Sequence, residues 1–81
     1  MDTRLAVIAV IVENTESAEA LNGLLHDYGE YIVGRMGVPY RQKQVSVISV
    51  ILDAPQNVIS ALSGKLGMLP GVTSKTVYSK I

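Results

Sequence analysis

Leu5-Ala6-Val7-Ile8-Ala9-Val10-Ile11-Val12 and Val45-Ser46-Val47-Ile48-Ser49-Val50-Ile51-Leu52 decide the fold, because both runs are apolar at nearly every position rather than at every second one. Successive side chains of a strand point to opposite faces of its sheet. Two such strands therefore make a sheet that is apolar on both sides. The 81 residues hold enough amphipathic helix to cover one of those sides. The other side is expected to be covered by a partner.

Outward from the first run, which extends over about Arg4 to Glu13, Glu13-Asn14-Thr15 supplies a polar turn, with Asn14 or Thr15 suited to cap a following helix. Glu16 and Glu19 sit where negative charge suits the helix dipole. Ala18, Leu21, Leu24, Leu25 and Tyr28 recur at helical spacing, so a helix is predicted over Thr15–Tyr28, stopped by Gly29. Glu30–Pro39 reads as a second strand through Tyr31, Ile32 and Val33. Gly34, Gly37 and Pro39 mark it as an edge strand or a strand with a bulge. Tyr40-Arg41-Gln42-Lys43-Gln44 is a hairpin tip leading into Val45–Leu52. Asp53-Ala54-Pro55 turns into a second helix, with Asp53 or Ala54 near the cap and Pro55 in the first turn. Its stripe is Val58, Ile59, Leu62 and Leu66, and Gly67 or Gly71 ends it. Val72–Ser79 is the last strand.

The order β-α-β-β-α-β is the α+β ferredoxin-like sandwich, a four-stranded antiparallel sheet with both helices on one face. In that topology strands one and three are the central neighbours, and here they are the two doubly apolar ones. The whole chain, 1–81, reads as one small domain. About six large aliphatic residues left wet on the helix-free face forfeit on the order of 9–18 kcal/mol, at about 1.5–3 kcal/mol each. That rivals the ~5–15 kcal/mol net stability of a domain, and association entropy offsets only part of it. A homodimer or homotetramer through the open sheet face is the expectation.

Composition narrows the function classes. Seven Lys+Arg balance seven Asp+Glu, which gives no basic footprint for nucleic acid, and the four tyrosines do not interleave with a basic cluster. Lys75 and Lys80 read as solvated edge charges. The absence of Cys removes disulfides, thiolate metal sites and a Cys nucleophile. The apolar run after Arg4 ends at Glu13 without a signal-peptide cleavage site, and no segment approaches the ~20 apolar residues of a membrane span. A cytoplasmic protein without membrane contact is expected.

Three polar features carry what chemistry there is. Glu13-Asn14-Thr15 joins polar groups to a helix N-terminus, which serves equally as an anion or amino-acid site and as a plain cap. His26, the single histidine, cannot build a zinc site within one chain and would need a second copy to share one, and its place near a helix end suits a solvent-exposed residue or a partner of the helix dipole. Gly34-Arg35-Met36-Gly37 lets Arg35 hold a carboxylate or phosphate bidentately, or pair with Glu30 or a neighbouring subunit. Its glycine spacing is not that of a phosphate loop. With no Ser/His/Asp arrangement suggested by spacing, the chain is expected to be no enzyme, with no cofactor and no metal.

Ile32-Val33-Gly34-Arg35-Met36-Gly37-Val38-Pro39-Tyr40 together with Leu62-Ser63-Gly64-Lys65-Leu66-Gly67-Met68-Leu69-Pro70-Gly71-Val72 resembles the iron-only hydrogenase system regulator family. Members of that family resemble ACT domains and the ligand-binding domain of the nickel-responsive repressor. The resemblance runs from the Arg4–Val12 strand to the Val72–Lys80 strand. It implies a stand-alone, ACT-like oligomeric regulatory module that senses a small ligand and reports it to partners. It also implies a ligand near the loop after strand one at a subunit interface, at Glu13, Asn14 and Thr15. This turn lacks the glycine that ACT ligand loops commonly hold, and the repressor's His/Cys metal set is absent, which speaks against amino-acid and nickel sensing. Strand one begins within a few residues of Met1, so no direct nucleic-acid contact is expected and transcription control would need a separate DNA-binding protein. Two other classes remain open: a small ferredoxin-like enzyme or chaperone using a cleft near His26 and Arg35, and a purely structural assembly protein without ligand.

Overall fold

The computed structural model describes residues 2–80. Strand β1 (Arg4–Val12) leads through a 3-10 turn (Thr15–Ser17) into helix α1 (Ala18–Asp27). A second 3-10 turn (Gly29–Tyr31) precedes β2 (Ile32–Tyr40), which is followed by β3 (Val45–Ala54), α2 (Gln56–Gly67) and β4 (Val72–Tyr78). The sheet order is β2-β3-β1-β4, antiparallel throughout. This is the ferredoxin-like α+β sandwich, with the two doubly apolar strands at its centre.

The register fixes which half of each apolar run is buried. Ile8 stands opposite Val50 and Val10 opposite Ile48. Ala6, Ile8, Val10 and Val12 therefore share the helix face with Val50, Leu52 and Ala54, and all seven are buried. Leu21 and Leu25 of α1 and Ile59, Leu62 and Leu66 of α2 close the core over them. The alternate residues form the opposite face: Leu5, Val7 and Ile11 of β1, Val47 and Ile51 of β3, Met36, Val38 and Tyr40 of β2, and Val77 of β4. These nine large side chains are between 36% and 67% exposed.

Element ends differ from the sequence expectations for local reasons. β1 stops at Val12 because the Asn14 side chain accepts from the Glu16 amide at 2.9 Å, turning the chain out of the sheet. The predicted helix Thr15–Tyr28 divides into the 3-10 turn and α1, and Tyr28 caps the end by donating its amide to the Leu24 carbonyl at 3.1 Å. β2 begins at Ile32 instead of Glu30, since residues 29–31 are coiled, and carries its register shift between Ile32 and Gly34. Pro39, which has no amide hydrogen to give, lies on that edge strand as its chemistry requires. β3 runs two residues past Leu52, so that Pro55, not Asp53 or Ala54, is the cap; its carbonyl accepts from the Val58 and Ile59 amides. α2 ends at Gly67, and β4 stops one residue short of Ser79.

The two helices are tied together at their polar surfaces. Lys65 on α2 donates to the Tyr28 hydroxyl at 3.0 Å and stands 5.3 Å from its ring centroid. The hydrogen bond to Tyr28 is the main reason that the Lys65 pKa is raised above its ordinary value.

Candidate functional site

The turn after β1 is held from three directions. The Glu13 amide donates to the Gly71 carbonyl at 2.7 Å, and Asn14 caps the 3-10 turn as described. Buried Ser17 donates its hydroxyl to the Pro70 carbonyl at 2.6 Å, so its burial leaves no polar atom unmatched. Gly71 has φ +71°, a conformation that favours glycine, and a Cβ built there would lie 2.6 Å from the Asn14 Cβ. The turn rests against the bare Cα of Gly71, and that contact sets its path.

Beyond this turn a groove opens between α1 and the β2–β3 hairpin. The helix-facing positions of β2 are Arg35, Gly37 and Pro39, opposite Val50, Ile48 and Ser46. Gly37 contributes no side chain there, and Pro39 only its compact ring, so that stretch of the sheet carries little bulk beneath α1. One cleft of about 160 Å³ is lined by Val12, Thr15, Ala18, Leu21, Asn22, Ser46 and Ile48. A second, of about 180 Å³, continues from it through the shared Thr15 and Ser46 to Pro39, Tyr40, Arg41, Gln44 and Val45. Arg35 donates from Nη2 to the Asn22 Oδ1 at 3.1 Å, which puts its guanidinium beside the first cleft.

The sequence candidates separate accordingly. Thr15 lines both clefts, and Arg35 meets the first through its hydrogen bond to Asn22. Glu13 and Asn14 belong to the turn and line neither cleft. His26 is exposed on α1, one helical turn beyond Asn22. Sequence reasoning missed Asn22, Ser46 and Ile48, which meet only when the hairpin folds back beside α1. The signal that would have found the groove is the alternation of β2, where Gly37 and Pro39 fall on the same face as Arg35. Neither cleft is lined by His, Asp or Glu. Among the described residues no group of three His, Cys, Asp or Glu gathers to hold a metal ion. The apolar floor, hydroxyl and amide rim and adjacent guanidinium are suited to holding a molecule, not to moving protons.

Comparison with known proteins adds the family context. The family model named TM1266-like, with the description "Iron-only hydrogenase system regulator, putative", matches residues 4–76. The solved structure of uncharacterized protein TM1266 from Thermotoga maritima is similar at 35% identity and a TM-score of 0.93, covering 98% of this chain and 100% of that one. CPII, a nitrogen regulatory PII-like protein from Thiomonas intermedia K12 solved with ADP, AMP and bicarbonate, is similar at 16% identity and a TM-score of 0.53. That match covers 98% of this chain and 99% of CPII, and at such identity it shows a shared fold alone. No curated protein matches the chain. Among the described residues no helix is long and apolar enough to cross a membrane.

Proposed function

The chain belongs to the TM1266-like family, and from that membership we infer that it is a regulatory module of the iron-only hydrogenase system, working by self-association and by binding a small ligand. Two copies dock through their open sheet faces. A ligand at the subunit junction, near the Glu13-Asn14-Thr15 turn, favours one arrangement of the subunits over another, and protein partners read the difference. The module acts in the cytoplasm, by contact and not by catalysis.

The observation that carries this reading is the apolar face of nine large side chains. Their partial exposure scales the gain down from that of fully wet residues, to about 0.6–1.5 kcal/mol each. Two copies together then gain on the order of 10–25 kcal/mol on docking, against an association cost of about 4–15 kcal/mol. The strands are 7–10 residues long. At ~3.4 Å per residue and ~4.8 Å between strands the face measures roughly 20 by 30 Å. That area, about 600 Å², is at the lower end of specific interfaces, which bury about 600–1,000 Å² per partner.

A thermal-shift screen of amino acids, nucleotides and metal ions tests the sensing. At least one compound should raise the melting temperature of the wild-type protein. The rise should vanish in Ile51→Glu, which places a charge in the docking face. Indifference across the panel, or an undiminished shift in Ile51→Glu, contradicts a junction ligand.

A further inference from the structure

The groove between α1 and the β2–β3 hairpin lies within one chain, and its chemistry is selective. Its floor is Val12, Leu21 and Ile48; Arg41 lines the hairpin end, and Arg35, outside the lining, donates to Asn22 on the rim of the first cleft. No acidic side chain lines it, and Glu16 and Glu19 lie outside the lining. A lining that holds Arg41 and no carboxylate, with the Arg35 guanidinium at its rim, favours an anion, and a guanidinium fork matches a carboxylate in two parallel hydrogen bonds. Arg35 uses Nη2 toward Asn22 and has further donors to offer. A ligand ammonium, by contrast, would enter the groove with no charge to pair with, which disfavours amino acids. Inorganic phosphate would leave the apolar floor empty. Cleft sizes of about 160 and 180 Å³ limit the occupant to a small molecule.

We propose that this groove binds a small carboxylate with an apolar body and no amino group, its hydrocarbon on Val12, Leu21 and Ile48 and its carboxylate on Arg35. The 2-oxo acid 4-methyl-2-oxopentanoate is a suitable probe, with L-leucine and inorganic phosphate as comparators. Leucine shares the oxo acid's carbon skeleton but bears an ammonium, and phosphate has charge without a body.

The experiment is an amide NMR titration of the full chain. The oxo acid should produce saturable shifts at Asn22, Gly37 and Ser46, and bind more tightly than leucine or phosphate. Arg35→Met should weaken it at least about tenfold, the loss expected for charged hydrogen bonds. Gly37→Val provides a second variant, in which the added side chain stands against Ile48, a lining residue of the first cleft. A Cβ there meets the Ile48 Cγ1 at an ordinary 3.7 Å and a β-branched residue suits a strand, so the variant should keep its fold while losing the site. Binding should survive in Ile51→Glu, because the groove needs no second copy. The proposal is overturned by an absence of saturable shifts, by unchanged affinity in Arg35→Met and Gly37→Val, by equal binding of leucine or phosphate, or by loss of binding in Ile51→Glu.

Discussion

Replacing Gly71 with alanine tests how the turn beside β1 is held. The residue sits at φ +71°, where a side chain costs about 1–2 kcal/mol. The new Cβ would stand 2.6 Å from the Asn14 Cβ and 2.9 Å from the Asn14 nitrogen, inside the ~3.5–4.0 Å at which carbons rest in contact. One of those atoms is backbone, so relief requires the turn to move by about 1 Å. That motion pulls on the 2.7 Å bond from the Glu13 amide to the Gly71 carbonyl and on the Ser17–Pro70 bond. Overpacking of this kind costs about 1–3 kcal/mol. The total, about 2–5 kcal/mol, converts to a fall of about 8–40 °C in Tm at ~4–8 °C per kcal/mol for a domain of this size. Thermal and urea unfolding followed by circular dichroism measure it. Asn14→Gly supplies the internal control: glycine is a fair N-cap, so alone it costs a few tenths of a kcal/mol, and it removes the Cβ that is struck. Gly71→Ala should therefore cost less in the Asn14→Gly background than alone. A Gly71→Ala loss below about 1 kcal/mol refutes the strain by itself, and an equal loss in both backgrounds refutes the collision with the Asn14 side chain.

Other substitutions probe separate links. Gly23 and Gly64 lie inside α1 and α2 with open space where a Cβ would go, so Gly23→Ala and Gly64→Ala should each stabilise by about 0.5–1 kcal/mol in urea unfolding. Ser17→Ala removes the donor to the Pro70 carbonyl and should destabilise by about 1 kcal/mol, measured the same way. Tyr28→Phe deletes the acceptor that raises the Lys65 pKa, so the amine should titrate closer to its ordinary value, as read by NMR. Because that pKa is raised in the folded state, its contribution to stability is fully present below the ordinary lysine value and is lost as pH rises through the raised one. Acid titration should leave that contribution untouched.

The fold was legible because its strongest signals are long and periodic. The two continuous apolar runs named the central strands, and the stripes Leu21–Leu25 and Ile59–Leu62–Leu66 named the faces that bury. Element ends were less legible, since they depend on single hydrogen bonds: the Asn14 side chain decides where β1 stops, and residues 29–31 delay β2. Of the candidate site, sequence pointed to Thr15 and Arg35 but not to what joins them. Asn22 and Ser46 are distant in sequence from each other and gain meaning only from the register that sets Gly37 against Ile48. Contact distances such as the one fixing Gly71 against Asn14 leave no pattern in a one-dimensional reading.

The proposed function stands on self-association of this chain through its helix-free face. Sedimentation equilibrium at micromolar concentration tests it most directly, with wild type and Ile51→Glu run in parallel. Wild type should sediment at a whole multiple of the 8.7 kDa chain mass, and Ile51→Glu at the single-chain mass. A wild-type protein that sediments as a stable, soluble single chain at that concentration contradicts it.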